Sequence, residues 1–491
     1  MRSQIRACAA AIFLIIRSEV NAQDLLGLFF DRTAASSISG GDPFAPLKSN
    51  DVASSRRVSG EAAPAAQIDS WIDNIYRETR ADGNDQNLQR NVERVRVQVP
   101  LSGETKSPIL HVDYQSAKMS GSFDVDPKDQ ASYDGKNDYA AVGAVIPLSD
   151  AVDCDVGVQK NTQENSVAPG YELGFSYQNS DGLVTVTVKD LPRLQFLALN
   201  IAGIGGILPL DYVQKGGEVD FSAPVGNMSF LINGHYDYLS PLSEFTRSSD
   251  SHFTPDGNTR GLAVSVLLDL SQHMSALCSY GMEAVEASGN FYSQASSYGA
   301  LNSFLFEDDF FQTGVRYAAG SIELLSDIKW SVISGAATGF AESWPFVSIT
   351  QSSLSQGRFD GSGNIRMLQE HAGATFSVLE NLRMGIGVNV VELTPNLHME
   401  TWQTMFLSIG EKDLQTMAFP YREIDGMILS GGLTGKIGGI GLTYSFSQIV
   451  PLRVEGASNS NPVVVHGPFS ASRTTHSSGG QFHQIAILFF L

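Results

Sequence analysis

From about residue 106 onward, apolar side chains fall at every second position, in segments paired by short turns, and the alternation runs to the last residue. A repeat of two is that of a β-strand whose faces meet different surroundings, so it excludes a helical fold for this region. One pair reads Met427, Leu429, Leu433 and Ile437, then Gly438-Gly439, then Ile440, Leu442, Tyr444 and Phe446. Two glycines suit a hairpin turn, because glycine alone takes positive φ freely. The same grammar joins 372–378 to 382–390, 262–270 to 274–282 and 311–317 to 322–330. The apolar face carries no charge in any of these four hairpins, while the other face is Gly, Ser, Thr, Asn and charges of both signs. Lipid outside and a polar lumen inside produce that contrast.

Loop lengths point the same way. Turns within hairpins are short, whereas the stretches between hairpins, at 240–260, 285–303, 334–363, 395–423 and 451–479, are long. Short periplasmic turns with long extracellular loops are the asymmetry of an outer-membrane barrel, and a soluble sandwich has no reason to sort its loops so. The last segment alternates through Ile485, Ile487, Phe489 and Leu491, as expected of a closing strand that the barrel-assembly machinery reads as its signal. The fold class expected is therefore all-β, a transmembrane up-and-down antiparallel barrel over 106–491. Working back from a periplasmic C-terminus gives about fourteen to sixteen strands, an even number if both termini are periplasmic.

Composition removes the competitors. Charged residues are 17% and hydrophobic ones 42%, too apolar for disorder, and 47 glycines are too many for a helical chain. With 52 acidic against 32 basic residues the net charge is −20, which argues against nucleic acid as a partner. Three cysteines make no disulfide framework and no Cys/His run has zinc spacing, so neither metal nor cofactor is expected.

Residues 1–22 read as a signal peptide. Arg2 and Arg6 precede the apolar run from Ala7 to Ile16, and Val20-Asn21-Ala22 places small residues for cleavage after Ala22. That run is half the length needed to span a bilayer as a helix. Residues 23–105 read as a periplasmic arm or plug: 33–67 is rich in Ala, Ser, Gly and Pro, and Ile68, Trp71, Ile72 and Ile75 fall on one face of a short helix. Val95, Val97 and Val99 alternate with Arg94, Arg96 and Gln98, a short strand ending at Pro100.

The strand phase assigns a luminal set: Glu172, Asp220, Asp237, Asp269, Glu283, Glu323 and Asp327 against Lys189, Arg316, Lys329 and Arg383. Excess acid in an open lumen would favour cations, unless these charges pair across strands and merely keep the lumen hydrated.

The strand grammar of Leu433 to Phe446 and of Ala144 to Val152 resembles the outer-membrane long-chain fatty-acid transporter family. That resemblance implies a barrel with an N-terminal hatch, in which Ile68, Trp71 and Ile75 could line a greasy path, and passage of hydrophobic compounds into the outer membrane. The family's N-terminal Asn-Pro-Ala element is missing here, so no functional residue carries over. The expected function is passive uptake of small molecules across the outer membrane of a Gram-negative bacterium, with lipid and solute as partners. The alternatives are a general cation-preferring porin and a structural or adhesive barrel acting through loops rich in acids such as Glu286, Glu307, Asp308 and Asp309. An enzyme is not expected: His235, His273 and His371 lie in or beside strands, but no Gly-x-Ser-x-Gly or His-Glu-x-x-His occurs.

Overall fold

A computed structural model describes residues 66–490 apart from 82–83, 103–106, 127–128, 164–165, 202–203, 242–250, 294–296, 344–354, 406–412, 419–420 and 457–476. It contains nineteen strands in one sheet: β1 (Gln67–Ala81), β2 (Asn84–Pro100), β3 (Ile109–Asp126), β4 (Asp129–Pro147), β5 (Val152–Gln163), β6 (Ser166–Asn179), β7 (Gly182–Ile201), β8 (Ile204–Val225), β9 (Met228–Pro241), β10 (Ser251–Ser271), β11 (Met274–Ser293), β12 (Ser297–Ala319), β13 (Ile322–Ser343), β14 (Ser355–Leu379), β15 (Leu382–Met405), β16 (Asp413–Ala418), β17 (Tyr421–Ile437), β18 (Ile440–Gly456) and β19 (Ser477–Phe490).

With β16 set aside, each strand pairs antiparallel with the strands before and after it in sequence, and β19 pairs antiparallel with β1, from Gln67 opposite Phe490 to Arg80 opposite Ser477. The sheet is thus a closed barrel. β16 is a short addition to that sheet: it pairs only with the His398–Gln403 end of β15, beyond the Leu382–Leu393 stretch that ladders with β17. Eighteen strands make the wall.

Tight turns collect at one end of the wall. Gly438 turns the β17–β18 hairpin at φ 60°, as its glycine pair predicts. In the β6–β7 turn the Asn179 side chain accepts from the backbone N–H groups of Asp181 (2.9 Å) and Gly182 (3.0 Å), replacing the bonds the chain gives up in reversing. In the β4–β5 turn the Ser149 hydroxyl does the same for Ala151 and Val152.

The burial pattern is inverted relative to a soluble protein. Tyr171, Leu173, Phe175 and Tyr177 on β6, Val186 and Val188 on β7, Ile322, Leu324, Ile328 and Trp330 on β13, and Ile440 and Leu442 on β18 are all exposed. Their alternates on the inner face are polar and buried, among them Ser176, Thr185, Ser331, Gln369, Asn389, Ser445 and Ser447. Apolar outside and polar inside, on a ring without an edge, is the arrangement a hydrocarbon surrounding demands. The outer band ends in a polar collar. Asp138 binds Lys136 (2.9 Å) and the Tyr114 hydroxyl (3.3 Å), and Asp190 binds the Tyr171 hydroxyl (2.9 Å) and Lys215 (3.1 Å). No described helix is long and apolar enough to cross a membrane.

Three expectations need correction. The sixteen segments read as strands all lie in the wall, but two more complete it, because β1 and β2 belong to the barrel and not to an arm. Ile68, Trp71, Ile72 and Ile75 lie in β1, not on a helix. Ile68 and Ile72 share one strand face with Ser70, so the helical spacing overlies a period of two, and pairing on both sides decides the conformation. Lastly, much of the stretches read as long loops is strand: only 294–296 separates β11 from β12, and Glu286, Glu307, Asp308 and Asp309 sit within those strands. Ladders extend beyond the lipid band because their hydrogen bonds do not depend on side-chain polarity. The leader at 1–22, the arm at 23–65 and Leu491 lie outside the described residues.

Val186 sits between Phe175 and Val219 in the outer band. Val186→Arg should destabilise the folded barrel by about 2–4 kcal/mol, and Lys160→Ala, further up the outer face, by less than about 0.5 kcal/mol. Urea unfolding in lipid vesicles measures both, and equal losses would contradict the lipid-facing assignment.

Candidate functional site: a mixed-charge cavity on the luminal wall

On the inner face of β2 to β8 a cavity of about 370 Å³ opens to solvent. β2 contributes Arg94 and Arg96, β3 His111 and Asp113, β5 Asp155 and Gln159, β6 Glu172, β7 Thr185, Thr187 and Lys189, and β8 Glu218 and Asp220. Alternation puts them there: Arg94 and Arg96 interleave with outward Val95, and His111 and Asp113 with outward Leu110, Val112 and Tyr114.

One edge is built on a shared carboxylate. Arg94 donates to Asp113 through Nε (2.8 Å) and Nη2, and Arg96 through Nη2 (2.9 Å) and Nε (3.2 Å). Asp113 is 4% exposed, so its charge is held by these guanidiniums more than by water. On the opposite edge the Asn233 amide donates to Glu218 (3.2 Å) and also to Asp220. Two carboxylates share one neutral donor.

Two contacts reach past an intervening strand, and each needs a glycine beneath it. His111 on β3 extends over Gly143 of β4 to bring Nε2 within 3.2 Å of Asp155 on β5; a Cβ on Gly143 would overlap the His111 ring. Lys189 on β7 crosses Gly216 of β8 to meet Asp237 on β9 at 3.2 Å, where Gln214 also donates at 2.7 Å; a Cβ on Gly216 would strike the Asp237 carboxylate. These are glycines of close approach.

The luminal set read from the sequence is spread around the wall. Glu172, Lys189 and Asp220 line the cavity, and Asp237 is buried behind it. Near the tight turns, Arg316 pairs with Glu323 (2.7 Å), Asp269 accepts from the Ser275 hydroxyl (2.8 Å), and Arg383 is exposed. On the far wall, Asp327 lies 3.5 Å from His371 and 3.4 Å from the Gln312 amide. Lys329 stands over the Phe310 ring at 4.3 Å, and Glu283 faces Asp308 in register.

The sequence reading passed over Arg94, Arg96, His111, Asp113, Asp155, Gln159 and Glu218. Their signal is the same alternation: Arg94 and Arg96 fall in the stretch that reads as an arm, and Asp155 and Gln159 alternate with the outward Cys154, Val156, Val158 and Lys160. Among the described residues no group of three or more His, Cys, Asp or Glu could hold a metal ion.

No family model and no curated protein matches this chain. Among solved structures it is similar to the Pseudomonas putida toluene transporter TodX (10% identity, 93% of this chain and 97% of that one, TM-score 0.37). It is likewise similar to the Vibrio cholerae outer membrane protein OmpT (10%, 87% and 100%, TM-score 0.33) and to a Pseudomonas aeruginosa FadL homologue (9%, 87% and 90%, TM-score 0.31). The membrane assignment and the lumen chemistry rest on this chain's own residues.

Removing the shared carboxylate leaves two guanidiniums facing each other. Asp113→Ala should therefore cost about 3–5 kcal/mol of barrel stability, and Asp113→Asn, which keeps the acceptor oxygen, clearly less. Equilibrium unfolding in micelles decides, and an unchanged midpoint for Asp113→Ala would remove the clamp from the account.

Proposed function

We propose that this chain is an outer-membrane barrel through which small molecules pass passively, without catalysis. The observation that carries the reading is the closed eighteen-strand ring with its apolar side outward and a charged, solvent-open cavity on its inner wall. A ring of that size is too wide for its own side chains to fill and leaves room for an aqueous path. Export through a leader cleaved after Ala22, insertion by the barrel-assembly machinery through the last strand, and residence in the outer membrane of a Gram-negative bacterium follow from the same reading. The luminal charges keep the path hydrated, and those in pairs, such as Arg316 with Glu323, add little selectivity.

A second reading, passage of hydrophobic compounds such as fatty acids, has one observation in its favour. Phe304, Phe306, Ile333, Ile365 and Met367 on β12 to β14 share the strand phase of the inner face and are buried. An apolar stretch of wall suits a solute that leaves water early.

Planar-bilayer recording separates the two. Stable ohmic steps in simple salt support the aqueous path. Electrical silence together with saturable binding of a fatty acid supports the hydrophobic one, and silence without such binding defeats both.

A further inference from the structure

We infer that the outer face of the seam, where β19, β1, β2 and β3 close the ring, is a contact surface for a second copy of this chain. The inference goes beyond the passage reading, because it concerns the outside of the wall and not the lumen.

The outward apolar stripe is unequal in height around the ring. On β10, across the ring from the seam, it runs through Leu262, Val264, Val266, Leu268 and Leu270, and on β11 through Met274, Ala276, Cys278, Tyr280 and Met282. Those stripes match the roughly 9–11 residues with which a tilted strand crosses hydrocarbon. At the seam the stripe is little more than half as long. It consists of Val95, Val97 and Val99 on β2 with Leu101 in the turn, Leu110, Val112 and Tyr114 on β3, and Ile485, Ile487 and Phe489 on β19; on β1, Ser70 interrupts it between Ile68 and Ile72.

Above these residues the same outer face turns polar: Glu93, Asn91 and Gln89 on β2, Ser116 and Lys118 on β3, and Gln481 and His483 on β19, the last beside the Tyr444 hydroxyl at 3.1 Å. Counted from the tight-turn end of each strand, Glu93 and Ser116 stand level with Val264 of β10, above which Leu262 is still apolar. The seam therefore presents charge and amides at a depth where the opposite wall presents hydrocarbon-like side chains. A charge on the lipid face destabilises a barrel according to its depth, and a stripe too short for the bilayer drives either thinning of the lipid or association.

Two observations favour a second copy as the neighbour. Copies enter the membrane with their tight turns on the same side, so the polar level of one meets the polar level of the next. The charged side chains of this face and the adjoining β4 are Glu93, Lys118, Lys136 and Asp138, two of each sign, with Lys136 and Asp138 joined at 2.9 Å. The face thus carries no net charge among its described side chains, although the whole chain carries −20. Glu93 and Lys118 occupy adjacent rows of the β2–β3 ladder, opposite Ser116 and Asn91. A two-fold contact brings each toward the opposite sign on the partner, and the exposed Gln89 and Gln481 amides both donate and accept, so the surface is complementary to itself.

The test uses the full barrel in dioleoyl phosphatidylcholine vesicles, with Cys154 and Cys278 replaced by Ser. Gln89→Cys or Ser116→Cys should give a disulfide-linked dimer that persists at high dilution in lipid, and Val264→Cys on the opposite wall should give none. Fluorescence energy transfer between labelled copies reads the association constant. Glu93→Lys should lower it about tenfold or more, Lys118→Glu likewise, and the two together should restore it, a rescue that loss of structure does not produce. Shorter dilauroyl lipid should also weaken association, because a thinner bilayer suits the short stripe. Heat-modifiable migration confirms that each variant is folded; if Glu93→Lys is not, Glu93→Leu lengthens the stripe and should weaken association as well. The contact is overturned if the barrel is monomeric in both lipids, which would leave thinned lipid as the cover of the seam, if Val264→Cys cross-links as readily as the seam positions, or if the folded charge reversals leave the constant unchanged. None of these outcomes touches the passage reading, and a barrel silent in planar bilayers keeps its seam contact.

Discussion

Every part of this structure depends on the closure of one hydrogen-bonded ladder, between β1 and β19. In hydrocarbon no water satisfies an exposed N–H or C=O, so an open sheet edge there would leave a column of unpaired backbone groups, each costing several kcal/mol. The pairing from Gln67 opposite Phe490 to Arg80 opposite Ser477 removes both edges at once. The residues closing the ring are the ones whose spacing also fits a helix, and the helix loses because it would reopen the wall.

Closure turns the two faces of every strand into two solvents. Outside, valine, leucine and tyrosine remain exposed because lipid covers them; inside, serine, threonine, glutamine and charges face one another across neighbouring strands. Ionic groups on the inner face then do what loops do in soluble proteins, reaching laterally for partners. His111 and Lys189 each pass over a glycine to a carboxylate two strands away, so the wall carries long side chains lying along it. Arg94 and Arg96 of β2 and Glu218 and Asp220 of β8 thereby come to line one cavity.

Much of this was legible in the amino acids. The alternation in Leu262 to Met282 or Leu429 to Phe446 states which side chains face lipid, because a one-residue slip would turn every one of them inward. What misled was local ambiguity at the N-terminal end. Ile68, Trp71, Ile72 and Ile75 satisfy a helical period and become a strand because β19 and β2 lie beside them; Val95 to Val99 reads correctly as a strand ending at Pro100, but only its pairing with β3 places that strand in the wall. The long intervals between hairpins carry no strand signal because above the lipid band a strand no longer needs an apolar face, as in β12 around Glu307 and Asp309.

The fold class, the outward face of most strands and the positions of the tight turns are set by nearest neighbours along the chain: residue parity, apolar alternation and residues such as Gly438 and Asn179. The number of strands, the membership of β1 and β2, and the company each charge keeps depend on pairings between strands far apart in the chain. Register between strands far apart in the chain places Gln159 across from Asp113 and lets Asn233 serve both Glu218 and Asp220. Parity says that a side chain faces the lumen; only the closed ring says which other side chains it meets there.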